Sequence, residues 1–174
     1  MDDCSDTHDS KILWAPWRIE YIKNVQEPSG CIFCAYPKQD TDQKNLIVHR
    51  GENGFVIMNR YPYNNGHLMV VPYLHTGELN DLTEDVQIEL FNLLKNAKDV
   101  LTKLMKPQGF NIGMNIGRIA GAGITDHLHF HIVPRWGGDT NFMPVCGHTK
   151  IISEALEETC SQITEGFKNL IENG

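Results

Sequence analysis

Five short runs of the chain are rich in apolar and β-branched residues, the composition typical of β-strands, and in the last of them apolar residues alternate with histidines. The first three runs are joined by Gly-Glu-Asn and by a segment rich in Tyr, Pro, Asn and Gly, both of which have turn composition. We therefore expect these three strands to form an antiparallel meander. The five runs are NLIVHR (45–50), GFVIMN (54–59), HLMVVP (67–72), GFNIGMNIG (109–117) and HLHFHIVP (127–134).

Two longer segments carry apolar residues every three or four positions, which predicts amphipathic helices. The first should begin after Thr83, because Thr caps helices and the acidic residues Glu84 and Asp85 suit the positive end of a helix dipole. It should end near Lys106 and Pro107. The second helix, with Ser153 as its cap, has an apolar stripe of Leu156, Cys160, Ile163, Phe167 and Leu170. An antiparallel sheet of about five strands with two main helices is an α+β fold.

The 174 residues predict one domain, residues 30–174, that includes the C-terminal helix and follows an N-terminal extension, residues 1–29. Within the extension, the aromatic and apolar segment 12–22 is expected to pack on the domain or on a second subunit. Residues 36–45 have loop composition. The acidic start lacks the features of a signal peptide and no run of 18 apolar residues exists, so we expect a cytoplasmic protein with no membrane span.

The net charge of −7 argues against a general nucleic-acid binder, which needs a basic face. It leaves a small nucleotide ligand open, since a local site can be positive in an acidic protein. The chain has five cysteines. An odd number in a presumed reducing compartment does not indicate a disulfide framework.

Three histidines stand on alternate positions of the last predicted strand: His127, His129 and His131. Alternation places them on one face of a strand, with Leu128 and Phe130 facing the core. Three interpretations are open: a solvated polar face, a metal site, and chemistry on a phosphate. A merely polar face would more often use Thr, Lys or Glu.

The stretch CIFC places Cys31 and Cys34 at the C-x₂-C spacing of two thiolates on one zinc ion. Two further ligands would be needed to close the site. Unmetallated thiols are the alternative, whereas thioredoxin-like redox chemistry is a poor one because no βαβ pattern follows.

Several of these motifs together resemble the histidine triad (HIT) superfamily. They are HLHFHIVPRW, the upstream NRYPYNNGHLMVVP with its Gly66-His67 pair, and Asn115 with the loop after it. The resemblance covers residues 31–142. LWAPWRIEYI before CIFC and AGAG before the triad resemble the bacterial diadenosine tetraphosphate phosphorylase (ATP adenylyltransferase)-like branch. The galactose-1-phosphate uridylyltransferase branch fits worse, because it has glutamine at the position of His131.

The resemblance implies attack on a nucleotide α-phosphate, with His129 as the nucleophile and His131 contacting the phosphate as a second catalytic residue. A nucleotidyl-histidine would form and then pass its nucleotide to an acceptor. Phosphate as acceptor makes the enzyme a dinucleoside polyphosphate phosphorylase. Water makes it a hydrolase of dinucleoside polyphosphates or nucleoside phosphoramidates. A nucleotide-binding module with little turnover is the third possibility, although binding alone needs no nucleophile.

The resemblance also implies nucleotide contacts in the upstream strands and the strand before the loop. Asn59 matches a ribose-contacting position, although Asn is also common where a strand ends in a turn. Ile57 is expected near the base. His67 matches an active-site histidine behind the triad or beside the base, and Asn115 is expected to donate its amide to a phosphate oxygen.

The loop before the triad should offer backbone N–H groups to the phosphates. Gly121 and Gly123 permit close approach, while an ordinary inter-strand turn is the alternative. Ile124 stands where related loops often have a polar residue, and Thr125 is expected to supply a hydroxyl instead. Trp136 either closes the phosphate end or is a packed aromatic.

The same resemblance implies a structural zinc site built from Cys31, Cys34, His75 and His127. This divides the triad, with His127 on the metal and the other two histidines on the nucleotide. The mechanism needs no catalytic metal, but Mg²⁺ can accompany a polyphosphate substrate. A homodimer is implied as well, with the long helix and adjoining strands at its interface. Light scattering tests that expectation.

Overall fold

The computed structural model describes residues 30–139 and 155–172. The expectations for the extension 1–29 and for the Ser153 cap lie outside these ranges, and the proposed domain boundary stays a prediction. Twelve elements follow in chain order. They are α1 (Ile32–Ala35), a 3-10 turn (Tyr36–Lys38), α2 (Asp42–Asn45), β1 (Ile47–Arg50), β2 (Gly54–Met58), β3 (Leu68–Pro72), a 3-10 turn (Leu79–Asp81), α3 (Glu84–Met105), β4 (Gly109–Met114), a 3-10 turn (Arg118–Ala120), β5 (Phe130–Arg135) and α4 (Leu156–Glu172).

The five strands form one antiparallel sheet in the order β1-β2-β3-β5-β4. The predicted α+β class and the β1-β2-β3 meander are confirmed. The last strand, β5, lies between β3 and β4, so His131 is on an interior strand of the sheet.

The segment expected to be a loop, residues 36–45, instead contains a 3-10 turn and the short helix α2. Side chains stabilise both. Asn45 is 6% exposed, and its amide donates to the side chains of Gln39 and Thr41 at 3.0 and 3.1 Å. Arg50 on β1 donates to both carboxylate oxygens of Asp42.

Helix α3 has the predicted bounds. Thr83 occupies the N-cap position, although its side chain makes no capping hydrogen bond. The helix ends where Lys106 takes a left-handed conformation with φ 46°, directly before Pro107. Helix α4 packs on α3 at Gly166, where an added Cβ would stand 2.7 Å from a methyl carbon of Val100. The glycine therefore sets how closely the two long helices approach.

The sheet separates the helices from the triad. On the helix face, Gly54 lies against Leu90 of α3, and its neighbours on that face, Val56, Val70 and Ile132, are fully buried. The opposite face carries a row of paired residues that crosses four strands and includes the third triad histidine. The row is Ile57, Met69, His131 and Gly113. Among the described helices, none combines the length and apolar composition that a membrane span requires.

Candidate active site and metal centre

The histidine triad lies on the face of the sheet away from the long helices. His127 and His129 lie just before β5, and His131 is within the strand. His127 is fully buried and His129 is 5% exposed. Phe33 of α1 packs on both rings, with centroid distances of 5.5 and 5.1 Å. Burial of this kind excludes a solvated polar face as the explanation of the triad.

Four side chains converge at the start of the triad segment: Cys31, Cys34, His75 and His127. Their possible ligand atoms all lie within 4.8 Å of one another. The Nδ1 atom of His127 is 3.2 Å from Cys31 Sγ, 3.5 Å from Cys34 Sγ and 3.2 Å from His75 Nδ1. A tetrahedral zinc ion would place its ligand atoms roughly 3.3–3.8 Å apart. The cluster therefore has the dimensions of a metal site.

Two features of the backbone build this cluster. Cys31 caps α1 and Cys34 lies within it, with Cys34 N–H donating to the Cys31 carbonyl at 3.1 Å. The chain after β3 is tied to the triad segment where Leu128 N–H donates to the Thr76 carbonyl at 2.7 Å. This contact brings the exposed His75 beside His127.

The ring orientation of His127 suits metal binding. Its Nε2 lies 2.8 Å from the Pro72 carbonyl oxygen. Because a carbonyl can only accept, Nε2 carries the proton and Nδ1 directs a lone pair at the two thiols. Burial lowers the pKa of His127, which favours the neutral ring that a metal ligand must have.

His129 has the reverse orientation. Its Nδ1 lies 2.9 Å from the His127 carbonyl oxygen, so Nδ1 carries the proton and Nε2 keeps its lone pair. Burial lowers the pKa of His129 despite this hydrogen bond, so the ring is neutral at pH 7. A neutral imidazole with a fixed tautomer is the state that a nucleophilic nitrogen needs.

His131 belongs to a chain of hydrogen bonds that begins at the backbone. Tyr63 N–H donates to Nδ1 of the fully buried His67 at 3.1 Å, which leaves the His67 proton on Nε2. That Nε2 lies 2.9 Å from His131 Nδ1 and donates to it. His131 therefore carries its own proton on Nε2. Burial, and then the neighbouring His129, lower the pKa of His131 to about 4, so this donor is neutral at pH 7.

The other expected nucleotide residues from the strands lie on the same face. Asn59 accepts the Tyr61 N–H at 2.9 Å through its side-chain oxygen. Ile57 shares a row with His131 but is only 2% exposed. Met114 pairs with Phe130, so Asn115 directly follows the last paired residue of β4 and His129 directly precedes the first paired residue of β5.

The loop between β4 and β5 folds back on Asn115. Gly121 has a left-handed conformation with φ 92°, and a Cβ there would lie 3.9 Å from the Asn115 amide nitrogen. Gly123 is exposed with open space around it, and Ile124 packs against the core. Thr125 donates its hydroxyl to Asp126 at 2.9 Å. Phosphate contacts from this loop stay a prediction.

Trp136 is anchored away from the triad. Its indole N–H donates to the Met105 carbonyl at the end of α3 at 3.2 Å. This contact favours a packing role for Trp136 over closure of the phosphate end. A nucleotide contact by Trp136 stays a prediction.

The sequence is similar to known proteins over most of its length. The HIT domain model matches residues 40–138, more than half of the chain. An AP-4-A phosphorylase of Mycobacterium tuberculosis is 41% identical over 154 residues, covering 84% of this chain and 79% of that protein.

The chain belongs to the HIT family.

Other HIT proteins extend the comparison. The adenosine 5'-monophosphoramidase hnt1 of Schizosaccharomyces pombe is 31% identical over 106 residues, covering 61% of this chain and 74% of that protein. A solved histidine triad nucleotide-binding protein of Sulfolobus tokodaii superposes with a TM-score of 0.64 at 30% identity, covering 80% of this chain and 93% of that one. A Zn-bound histidine triad protein of Mycobacterium smegmatis shares the fold, with a TM-score of 0.67 at 23% identity over 83% of this chain and 98% of that one.

The HIT match begins after Cys31 and Cys34, so the thiol half of the metal cluster lies outside the matched residues. Four residues that contact the triad or the chain next to it were not predicted from the sequence: Phe33, Tyr63, Asn64 and Asp139. Tyr63 acts through its backbone, which leaves no signal in residue identity. Asn64 and Asp139 are polar residues beside turns, and only their burial distinguishes them.

Proposed function

We propose that this HIT protein transfers a nucleotidyl group from the α-phosphate of a dinucleoside polyphosphate, with His129 as the nucleophile. The single observation that carries the proposal is the ring of His129: buried, neutral, and held by the His127 carbonyl so that Nε2 has a free lone pair. A residue that only bound nucleotide would not need an unprotonated nitrogen in this state.

The reaction has two steps. Nε2 of His129 attacks the α-phosphorus, and the bond to the bridging oxygen of the remaining phosphates breaks. With diadenosine tetraphosphate, ATP leaves and AMP stays on the histidine. An oxygen of inorganic phosphate then attacks the same phosphorus and the P–N bond breaks, which releases ADP and restores His129. Each step forms one bond to phosphorus and breaks another, and neither step needs an oxidant or reductant.

The neighbouring groups stabilise charge on the phosphate, which is the main requirement of phosphoryl-type transfer. His131 offers an Nε2–H donor through the hydrogen-bond chain that begins at Tyr63. Asn115 follows Met114, which pairs with Phe130 next to His129, and we assign its side-chain amide to a phosphate oxygen. We assign Asn59 to the ribose. We assign the loop N–H groups at Gly121 and Gly123 to the phosphates.

Phosphate is the acceptor that we favour, because the M. tuberculosis relative at 41% identity is an AP-4-A phosphorylase. Water is the second candidate, since the S. pombe relative is an adenosine 5'-monophosphoramidase. Mg²⁺ bound to the polyphosphate is compatible with either acceptor.

We further propose that zinc occupies the cluster of Cys31, Cys34, His75 and His127. The donor set of two thiols and two imidazoles, the ligand-atom spacing and the Nε2 hydrogen bond of His127 support it. Bound zinc would link α1, the chain after β3 and the triad segment as a structural ion, and no reaction step requires it.

A homodimer remains part of the proposal. Strand β4 is at the end of the sheet, and its Ile112 is 50% exposed. Phe91 on α3 is 65% exposed. An apolar edge strand is a surface that proteins usually cover. Light scattering should give twice the chain mass, and a monomer mass would contradict this.

Product analysis tests the function. The protein is incubated with diadenosine tetraphosphate, with and without inorganic phosphate, and nucleotides are separated by chromatography. Phosphate-dependent ADP and ATP supports the phosphorylase, whereas AMP without phosphate supports the hydrolase. If no product forms and His129→Ala binds nucleotide as well as the parent, the protein is a binding module instead.

A further inference from the structure

The turn between β2 and β3 is cross-linked to the end of β5 by one buried side chain. Asn64 is 6% exposed. Its Nδ2 donates to the Pro134 carbonyl at 3.0 Å and to Asp139 Oδ2 at 2.8 Å. Because both partners can only accept, the two amide protons of Asn64 are used and its orientation is fixed.

The acceptor of this cross-link is itself held in place. The Asp139 side chain is 7% exposed and accepts from Arg135 Nε at 2.6 Å and from Trp136 N–H at 3.2 Å. The carboxylate is thus tied to the strand that carries His131. The Asn64 cross-link therefore joins that strand to the turn before His67.

The turn has one further consequence for the triad. The Asn64 carbonyl accepts His67 N–H at 3.2 Å, and the adjacent Tyr63 directs its N–H at His67 Nδ1. If the turn moves, Tyr63 N–H leaves Nδ1. His67 can then carry its proton on either nitrogen, and His131 loses the partner that keeps its proton on Nε2.

We propose that Asn64, oriented by Asp139, is a positioning residue that keeps the proton of His131 on Nε2. The structural part of this inference stands on the hydrogen bonds alone. Its effect on turnover rests on the proposed function, in which His131 Nε2–H meets the phosphate.

Histidine tautomers in the full-length, metal-loaded protein test the proposal, through long-range ¹H–¹⁵N NMR spectra at neutral pH. In the parent, His67 and His131 should both carry the proton on Nε2. Asn64→Ala should give a His131 mixture with a resolved Nδ1–H population. Asn65→Ala is the matched control. This variant removes the hydrogen bonds that Asn65 accepts from Gly66 N–H and from Thr159 on α4 in the same turn. It leaves both Asn64 contacts in place, so it should keep the parent tautomers.

A parent-like His131 spectrum in folded Asn64→Ala would overturn the proposal. Should that variant not fold, Asp139→Ala is judged by the same criterion, and Asp139→Asn, which keeps one acceptor oxygen, should restore the parent tautomer. Turnover in Asn64→Ala is expected to fall by about tenfold to hundredfold in kcat with little change in KM. If the parent itself forms no product, the proposed function fails while the tautomer result still decides this inference.

Discussion

His127 and His129 are two residues apart, both are buried, and both donate one ring N–H to a backbone carbonyl, yet they present opposite nitrogens. His127 gives Nε2–H to Pro72 and turns Nδ1 to the thiols. His129 gives Nδ1–H to His127 and keeps Nε2 free. The position of one carbonyl oxygen therefore decides whether a histidine in this segment can be a ligand or a nucleophile.

The candidate site has two halves: the proposed nucleotide half, His129 and His131, and the proposed metal half, Cys31, Cys34, His75 and His127. Replacing His129 should separate the two halves most sharply. His129→Ala is expected to lower turnover of diadenosine tetraphosphate by at least about 10⁴-fold, because the proposed attack on phosphorus uses the lone pair of its Nε2. Metal content, measured by mass spectrometry of the intact protein, should remain that of the parent. Turnover within tenfold of the parent would show that His129 is not the attacking residue.

Removing a thiol should abolish metal binding by the proposed metal half. Cys34→Ser is expected to lose the metal and to lower the free energy of unfolding by more than about 2 kcal/mol, since a structural ion stabilises only the folded chain. Urea unfolding and metal analysis measure both. Cys160→Ser is the control: Cys160 is buried on α4 outside the cluster. Equal metal loss in both variants would contradict the assignment.

Phe33 touches both halves, so a change there should affect them together. Phe33→Leu shortens the side chain that packs on the His127 and His129 rings. We expect the free energy of unfolding to fall by roughly 1–2 kcal/mol, with both metal affinity and turnover reduced. If only metal affinity or only turnover changed, the packing of the metal half would not depend on that of the nucleotide half.

His49 lies outside both halves and should make the stability of the protein depend on pH. His49 stacks on Phe167 of α4 with centroids 4.9 Å apart, and burial lowers its pKa while the charge of Glu89 opposes the shift. Since the unfolded chain takes up the proton first, the stability that neutral His49 contributes is present above about pH 6.5 and lost as the pH falls towards the folded-state value.

Urea unfolding of the parent and His49→Gln at neutral and mildly acidic pH measures this contribution. The parent should lose more stability on acidification than the variant, and the difference isolates His49 from the triad. Identical losses would mean that His49 does not contribute.

Periodicity was sufficient to predict the sheet and α3, because alternation and helical spacing depend on which residues the core buries. It missed α2, whose stability comes from Asn45 and from Arg50 on the next strand rather than from local sequence. Burial of polar residues on the sheet face was also not visible in the pattern.

The sequence was sufficient to predict which residues form the candidate site. It did not predict which ring nitrogen each histidine presents. Spacing identified the Cys31–Cys34 pair and the triad, and the family resemblance supplied His75 and the division of roles. The choice of ring nitrogen depends on carbonyls of Pro72 and His127 and on the N–H of Tyr63. Every residue has a backbone carbonyl and every residue except proline has a backbone N–H, so residue identity does not specify these contacts.

The tautomers of His127 and His129 show directly whether each ring presents the nitrogen that its proposed role requires. In a long-range ¹H–¹⁵N NMR spectrum of the metal-loaded protein at neutral pH, we expect a proton on Nε2 of His127 and on Nδ1 of His129. A spectrum in which His129 carries its proton on Nε2 would contradict its role as nucleophile, because the nitrogen assigned to attack the phosphorus would then have no lone pair to use.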